Sequence, residues 1–345
     1  MLRALLSYIT MIISLILIVP LLILLVPIWL FVSLCKSLNR LMVSTDTTWD
    51  KIIQFEPGLG WKPIPNLKKT EYYDEIGDKG SVTTGEEGWP GTYKIEDSEI
   101  VVFGDSFAFG FGSECSDTYY SNSNNLRIKP IAAPGYNMVQ GLMLMKKYRE
   151  KLNDKLIVWL ICLENDLVEN LAPYNGMKYT VPYLKKNKEN KWEIEDSHVT
   201  KEKWLYGEKN SYTSLKFATI CTSSEYSDRA FSACKYLIEE AKTVCDSVNS
   251  ELVLFTIPDK RLLTQQGIIM LKRYLDNDST FNKDYPDLCL GKICEELKVT
   301  HLPGLKYLEV NDYKVRDPHW NKMGNSKLST ILNDYFESNF SIKKD

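Results

Sequence analysis

A serine, a histidine and a carboxylate in this sequence are residue types that nucleophilic catalysis combines. Ser106 follows the apolar run EIVVFGD (99–105), and His319 lies two residues after Asp317 in DPHWN. A serine hydroxyl is a weak nucleophile until a base takes its proton, and the base needs an acceptor that fixes its tautomer. These residues therefore indicate acyl transfer, with Ser106 as nucleophile, His319 as base and Asp317 as the orienting acid.

The choice of His319 rests on comparison with the two other histidines of the chain. His198 lies in a charged segment that we expect to be exposed, and His301 lies in VTHLPG. His319 alone combines a nearby carboxylate with the start of a helix behind it. Asp312 is kept as an alternative orienting acid.

Two further segments could supply donors to a developing oxyanion. Gly135 in APGYN lets a backbone N–H approach a ligand closely, and Asn165 in ENDL carries an amide directly after the apolar run KLIVWLIC (155–162). Together with the backbone N–H of Ser106 they form a candidate oxyanion hole. Taken singly, each segment is also compatible with a turn or a helix cap.

Apolar runs alternate with helical periodicity through the second half of the chain. Buried strands are predicted over residues 99–105, 127–135, 155–162 and 251–257, and helices over residues 136–152, 227–248, 284–299 and 321–340, with Asn321 as a cap. This alternation predicts a parallel sheet covered on both faces. In such sheets the ligand crevice lies beyond the carboxyl ends of the strands, where the candidate segments fall.

In their order, the segments resemble the four blocks of the SGNH hydrolases, a branch of the GDSL esterases. GDSF, APGYN, ENDL and DPHWNKMG match the nucleophile, glycine, asparagine and acid–base blocks, and the resemblance covers about residues 99–340. It implies a flavodoxin-like three-layer α/β/α domain without metal or organic cofactor. It also implies a triad of Ser106, His319 and Asp317 and an oxyanion hole of Ser106, Gly135 and Asn165.

Two departures from the family pattern bear on the site. Leu163 stands where the third block usually has glycine, and Asp317 lies two residues before His319 instead of three. The D-x-H-W-N form resembles relatives that handle polysaccharide acetyl groups. We therefore expect a serine esterase or O-acyltransferase acting on acyl, above all acetyl, esters of carbohydrate. A lipid-directed esterase and a non-catalytic scaffold for polysaccharide assembly stay open as alternatives.

The N-terminus predicts a membrane anchor. No charged residue lies between Arg3 and Lys36, and this stretch exceeds the ~20 residues that cross a bilayer. We predict a single-pass anchor over residues 1–36, and the resemblance to the SGNH hydrolases implies that the catalytic domain lies outside the cytoplasm. The positive charges that flank this stretch are nearly balanced, so they do not fix its orientation. Pro20 and Pro27 could kink a single tilted helix, or favour a hairpin that re-enters the same side as an alternative.

The remaining chain is predicted to form a lead-in over residues 37–98 and a hydrolase-like domain over 99–345 with an insertion at 167–226. Within the insertion, YTVPYLKKNKENKWEIED is typical of a hairpin with a basic tip. Its aromatic residues could stack on sugar rings, hold an acyl chain, or simply pack on the domain. They are Tyr174, Tyr179, Tyr183, Trp192, Trp204, Tyr206 and Tyr212.

Composition excludes several other classes of protein. A net charge of −3 gives no basic face for nucleic acid, and the eight cysteines show no metal-ligand spacing. Most cysteines are expected to be small buried apolar residues. Cys289 and Cys294 could pair as a disulfide in an oxidising compartment.

Overall fold

The computed structural model describes residues 49–73, 77–123, 126–175, 179–201, 214–275 and 280–340, together with Val26, Pro27, Trp29, Ser33 and Leu34. The chain divides into two compact units, Met1–Thr48 and Trp49–Asp345. The five described residues of the first unit are helical. The rest of the predicted anchor lies outside the described residues. Within the part of the chain that is described, no helix is long and apolar enough to span a bilayer.

The second unit contains eleven described strands and nine described α-helices. The strands are β1 (Ile53–Glu56), β2 (Gly60–Pro63), β3 (Thr70–Tyr73), β4 (Lys79–Val82), β5 (Ile100–Gly104), β6 (Ile128–Ala132), β7 (Leu156–Cys162), β8 (Tyr183–Lys186), β9 (Trp192–Glu195), β10 (Glu251–Ile257) and β11 (Thr300–Pro303). The helices are α1 (Trp49–Ile52), α2 (Ser106–Phe109), α3 (Met138–Lys147), α4 (Asp166–Glu169), α5 (Ser214–Ile220), α6 (Glu225–Asp246), α7 (Gln265–Lys272), α8 (Tyr285–Leu297) and α9 (Lys322–Tyr335). A π-helical turn, Phe336–Phe340, continues α9.

Five parallel strands form the central sheet in the order β11-β10-β7-β5-β6. Strands β5, β6 and β7 are buried throughout, which explains their nearly continuous apolar sequences. The order is that of flavodoxin-like folds. The predicted parallel sheet is therefore confirmed, and its four predicted strands are present. Strand β11 was not predicted, because its four half-buried residues, THLP, have no marked apolar pattern.

Helices cover both faces of this sheet. The connections from β6 to β7, β7 to β10 and β10 to β11 run in one direction, and their helices α3, α6 and α8 pack side by side. The β5-to-β6 connection runs the opposite way, so right-handed crossover places it on the other face. Helix α9 contacts that connection and completes the third layer. Its predicted cap is confirmed, because Asn321 Oδ1 accepts the N–H groups of Met323 and Gly324.

The described part of the lead-in, from Trp49 onward, belongs to the same compact unit as the sheet. It forms two antiparallel hairpins, β1–β2 and β3–β4. The Nζ of buried Lys129 in β6 donates to the carbonyl oxygens of Trp89 (3.1 Å), Pro90 (2.9 Å) and Gly91 (3.2 Å). Burial lowers the pKa of Lys129 to about 8. A lysine in the edge strand therefore holds the GWPG turn against the domain.

The insertion forms the predicted hairpin, with β8 antiparallel to β9. Its described aromatic residues pack on the domain. Tyr179 lies 5.2 Å from Trp61 between ring centroids, and Trp192 Nε1 donates to Ser232 Oγ at 3.2 Å. Three of the predicted aromatic contacts, Trp204, Tyr206 and Tyr212, lie outside the described residues.

The cysteines that the structure describes are free thiols, including Cys289 and Cys294. The proposed disulfide between these two is therefore wrong. Both lie on the same helix, α8, and Cys294 packs into the apolar core.

Gly104, the last residue of β5, allows close packing at the centre of the sheet. Its φ is +155°, and an added Cβ would lie 2.9 Å from both Leu160 O and Ala108 Cβ. Because the first of these is backbone, we expect Gly104→Ala to lower the free energy of unfolding by about 1–3 kcal/mol, the usual cost of overpacking. Denaturant unfolding measures the change. Gly85→Ala is the control, since its Cβ would meet nothing closer than 3.7 Å; equal stability of the two variants would contradict the prediction.

Candidate active site

The nucleophile segment lies where the strand order reverses. Strand β6 lies on one side of β5 and β7 on the other, so the connections leave their carboxyl ends in opposite directions. Ser106 is the first residue of the short helix α2, directly after β5. Gly110 ends this helix in a left-handed conformation, and its N–H returns to the carbonyl oxygens of Ser106 and Phe107. Ser106 is therefore held at the crevice by a turn closed at both ends.

Ser106, His319 and Asp317 form one chain of hydrogen bonds. His319 Nε2 lies 2.8 Å from Ser106 Oγ, and His319 Nδ1 lies 2.6 Å from Asp317 Oδ1. The carboxylate can only accept, so Nδ1 carries the ring proton and Nε2 is left to accept from the serine. The side chains of His319 and Asp317 are 15% and 11% exposed. The geometry is that of a nucleophile, a base and an orienting acid.

The short spacing between Asp317 and His319 is accommodated by a local turn. Asp317 Oδ1 also accepts the backbone N–H of His319 at 2.8 Å. Burial alone would raise the pKa of Asp317, but the donors of His319 outweigh it and lower that pKa. Asp317 thus stays ionised at neutral pH.

The alternative prediction, that Asp312 orients His319, is wrong. Its Oδ2 accepts the Glu309 backbone N–H at 2.7 Å and Lys327 Nζ at 2.6 Å. Its backbone oxygen accepts Asn321 N–H at 2.9 Å. Asp312 therefore supports the turn that leads into α9 and does not orient His319.

Asn165 reaches the site through Asp105, the residue before the nucleophile. Asp105 is 2% exposed, and its Oδ1 accepts the Phe107 N–H at 2.9 Å. The Asn165 side chain also hydrogen bonds to this carboxylate. An amide that meets a carboxylate does so through its N–H₂ group, which leaves the second N–H of Asn165 for another acceptor.

Leu163, the departure from the family pattern, is compatible with the turn that carries Asn165. It is not among the described residues with positive φ, so its backbone conformation does not need glycine. Leu163 is 1% exposed, and its N–H donates to Ile257 O at 3.0 Å. Asp166 Oδ2 closes the turn by accepting Cys162 N–H at 2.8 Å.

Gly135 lies in the turn after β6, next to the nucleophile strand. Ala132 pairs in register with Gly104, and Gly135 follows three residues later with φ of +76°. The lead-in supports this turn, because Trp61 Nε1 donates to Pro134 O at 3.0 Å. Asn175 Nδ2 donates to Gly135 O at 3.3 Å, so the peptide is held from the insertion as well.

The other two histidines have their contacts away from Ser106. His198 is half-buried, contrary to the predicted exposure, with Nε2 3.3 Å from Pro173 O. His301 Nε2 lies 3.4 Å from Thr256 Oγ1 and 3.5 Å from Asp287 Oδ1, within the sheet and α8. Neither contacts Ser106.

A set of charged residues around the Asn165 turn was not predicted from the sequence. Arg261 donates to Glu164 Oε1 at 3.0 Å and to Asp259 Oδ2 at 2.9 Å. Burial and the Asp259 carboxylate raise the pKa of Glu164, and Arg261 opposes that rise. No local pattern connects Arg261 to the asparagine block, because the two segments are almost a hundred residues apart. Among the described residues, no group of three His, Cys, Asp or Glu side chains could hold a metal ion.

Solved structures similar to this chain include several esterases. TesA aligns over 69% of this chain and 97% of its own, at 10% identity and a TM-score of 0.40. A GDSL-like lipase from Bacteroides thetaiotaomicron VPI-5482 aligns over 71% and 90%, at 11% identity and 0.37. A catalytic mutant of an acetylxylan esterase from Geobacillus stearothermophilus aligns over 71% and 96%, at 13% identity and 0.34.

These names agree with the family that the four blocks resemble. No family model and no curated protein sequence matches the chain.

The buried Asp105 predicts a pH-dependent stability. Burial raises the pKa of Asp105 from its usual 3.8 to about 6. Between these values the unfolded chain loses this proton while the folded chain keeps it, so stability falls as the pH rises from about 4 to about 6. Asp105→Asn has no such proton and keeps an acceptor for Phe107 N–H. Relative to wild type, we expect it to gain about 2–3 kcal/mol between pH 4 and pH 7 in urea unfolding.

The matched control is Asp97→Asn, because the Asp97 side chain is exposed. This variant should follow the wild-type dependence on pH. If Asp105→Asn follows it too, the Asp105 carboxyl is not the group responsible.

Proposed function

We propose that the second unit is a serine ester hydrolase of the SGNH type. The observation that carries the proposal is the continuous hydrogen-bond chain from Ser106 Oγ through His319 to Asp317, at 2.8 Å and 2.6 Å. A serine that only caps a helix does not need a histidine at its hydroxyl. A histidine with a purely structural role does not need to face a crevice. The joint arrangement matches the roles that acyl transfer requires.

In the first step, Ser106 Oγ attacks the carbonyl carbon of the ester while His319 Nε2 takes its proton. Asp317 holds the ring and stabilises the imidazolium that forms. His319 then gives the proton to the leaving alcohol oxygen as the ester C–O bond breaks. Water attacks the acyl-serine in the same way, with His319 again as base, and releases the acid.

The oxyanion of the tetrahedral intermediate would lie among the donors beside Ser106. The N–H groups of Ser106 and Gly135 and the amide of Asn165 are assigned this role. Asp105 acts through Asn165, because its carboxylate hydrogen bonds to the Asn165 side chain. Apart from the ester and the attacking water, the groups that these steps use are side chains and backbone N–H groups of the chain.

A short acyl group fits the surroundings of the triad best. The rings of Phe107, Phe111 and Trp320 line a narrow recess beside Ser106 and His319, which has no room for a water-sized sphere. A short acyl group needs the least movement of these rings. We therefore propose acetyl esters of carbohydrate as substrates, with water as acceptor in an esterase or a sugar hydroxyl in an O-acyltransferase.

Ser106→Ala tests whether the serine is activated. We expect wild-type protein to react with a fluorophosphonate probe and to hydrolyse a soluble acetyl ester, and Ser106→Ala to do neither. Labelling is read by mass spectrometry of the modified peptide. Ser116→Ala, in an exposed position nearby, should keep both activities. Undiminished ester hydrolysis by folded Ser106→Ala would exclude the assignment.

Asn165→Ala tests the oxyanion donor. Removing one such donor usually costs about 100-fold in kcat, or about 3 kcal/mol. Because the oxyanion exists only in the transition state, we expect kcat for a soluble acetyl ester to fall and KM to change little. Asn122→Ala is the control, since Asn122 is exposed and outside the site. A change confined to KM would mean that Asn165 binds the substrate without stabilising the oxyanion.

A further inference from the structure

Large apolar side chains are exposed at the same edge of the sheet as Ser106. Among the described residues of the second unit, nine such side chains are exposed, and six of them follow the carboxyl ends of β10 and β11: Ile269, Met270, Tyr274, Tyr307, Val315 and Met323. Val315 is 92% exposed and lies two residues before Asp317. Single exposed apolar residues are ordinary, but their concentration at one edge is characteristic of an interaction surface.

The segments that carry these residues, 258–275 and 304–323, are called the rim below. Contacts join them into one surface. Lys260 Nζ donates to the backbone oxygens of Lys314 and Val315, and Tyr313 Oη donates to Pro258 O at 2.9 Å. Helix α7 packs closely on the Lys260–Leu263 turn, where an added Cβ on Gly267 would lie 2.3 Å from Arg261 O.

The rim is basic in a chain that is acidic overall. Its two segments contain eight lysines and arginines and four acidic residues, a net charge of +4, whereas the whole chain has −3. Three of the four acids are already paired: Asp259 with Arg261, Asp312 with Lys327, and Asp317 with His319. Three of the cations also pair with acids outside the rim: Arg261 with Glu164, Lys314 with Asp78, and Lys322 with Asp117.

Two cations of the rim are available for a partner. Arg273 and Arg316 are exposed, and neither makes an ion pair with another described residue. Arg316 directly follows Val315, and Arg273 follows the exposed end of α7. Each segment of the rim thus carries exposed apolar side chains and one exposed arginine that has no ion pair with another described residue.

We infer that the rim docks on the surface of an anionic lipid bilayer. Apolar side chains set among arginines and lysines suit such a surface, because the apolar groups enter the acyl boundary while the cations meet lipid phosphates. Val315 and Met323 are the inserting residues, and Arg273 and Arg316 are the phosphate contacts. The uncharged stretch over residues 4–35, which predicts an anchor, favours a bilayer over an acidic protein. Docking in this orientation places Ser106 at the membrane surface.

A tryptophan placed in the rim reports insertion directly. The full-length Val315→Trp variant is reconstituted into phosphatidylglycerol vesicles whose acyl chains are brominated, because bromine quenches only fluorophores that contact it. Leu288→Trp is the matched control, since Leu288 is 54% exposed on α8, outside the rim. Both variants share the native tryptophans and the N-terminal segment. We expect the added emission of Val315→Trp to be largely lost and that of Leu288→Trp to be retained.

Charge and lipid composition supply the second arm. We expect the emission of Val315→Trp to be mostly restored when Arg273→Gln and Arg316→Gln are added to it. Salt near 1 M should have the same effect, because the screening length falls to ~3 Å. Arg229→Gln with Lys188→Gln, both exposed and outside the rim, should not restore it. Equal emission of the two tryptophan variants would overturn docking. Equal quenching in phosphatidylcholine vesicles would overturn the requirement for anionic lipid.

Fluorescence needs no turnover, so the test is independent of the proposed esterase activity. Ser106→Ala in the Val315→Trp background should be quenched as fully as the parent variant. A protein that fails to react with fluorophosphonate can still dock, and one that reacts can still fail to dock.

Discussion

Reversal of the strand order at β5 is the constraint on which the candidate site depends. Because β6 and β7 lie on opposite sides of β5, the chain leaves their carboxyl ends in opposite directions and opens a crevice there. Ser106 follows β5 directly, and Asn165 lies three residues beyond the end of β7. His319 enters from the segment after β11, and its bond to Ser106 joins positions 213 residues apart. The reversal thus provides one place where these separate segments can meet.

The buried carboxylate of Asp105 joins two segments in that crevice. It caps α2 through the Phe107 N–H and binds the side chain of Asn165, so it ties the turn of Ser106 to the turn of Asn165. Its pKa, raised by burial to about 6, reflects the cost of keeping a charge there. The neighbouring Asp166 also has a raised pKa, with burial and the Asp105 charge among the causes. Burying these two carboxyl groups is electrostatically unfavourable, but their hydrogen bonds fix the geometry of the two turns.

The lead-in contributes to the site although it precedes the sheet in the chain. Trp61 Nε1 donates to Pro134 O, and the carbonyl oxygen of Trp61 accepts from Tyr136 Oη. Trp61 therefore hydrogen bonds to the residues on both sides of Gly135. A left-handed glycine peptide has few contacts of its own, and packing against a buried tryptophan fixes where its N–H points. Lys129 holds a second part of the same lead-in on the edge strand. The glycine turn is thus supported by residues outside the four motifs.

The sequence by itself determined the parallel sheet, the cap of α9 and the four segments of the site, because apolar periodicity and turn residues act over a few neighbouring positions. It left open whether Asp317 or Asp312 orients His319, and whether Leu163 would displace Asn165. Only the tertiary structure decided these points: Asp317 meets the imidazole, and Leu163 fits the turn without positive φ. The contacts of Asp105 and Arg261 likewise depend on tertiary structure. The physical reason is that a hydrogen bond between distant residues depends on how strands and helices pack, which local patterns do not specify.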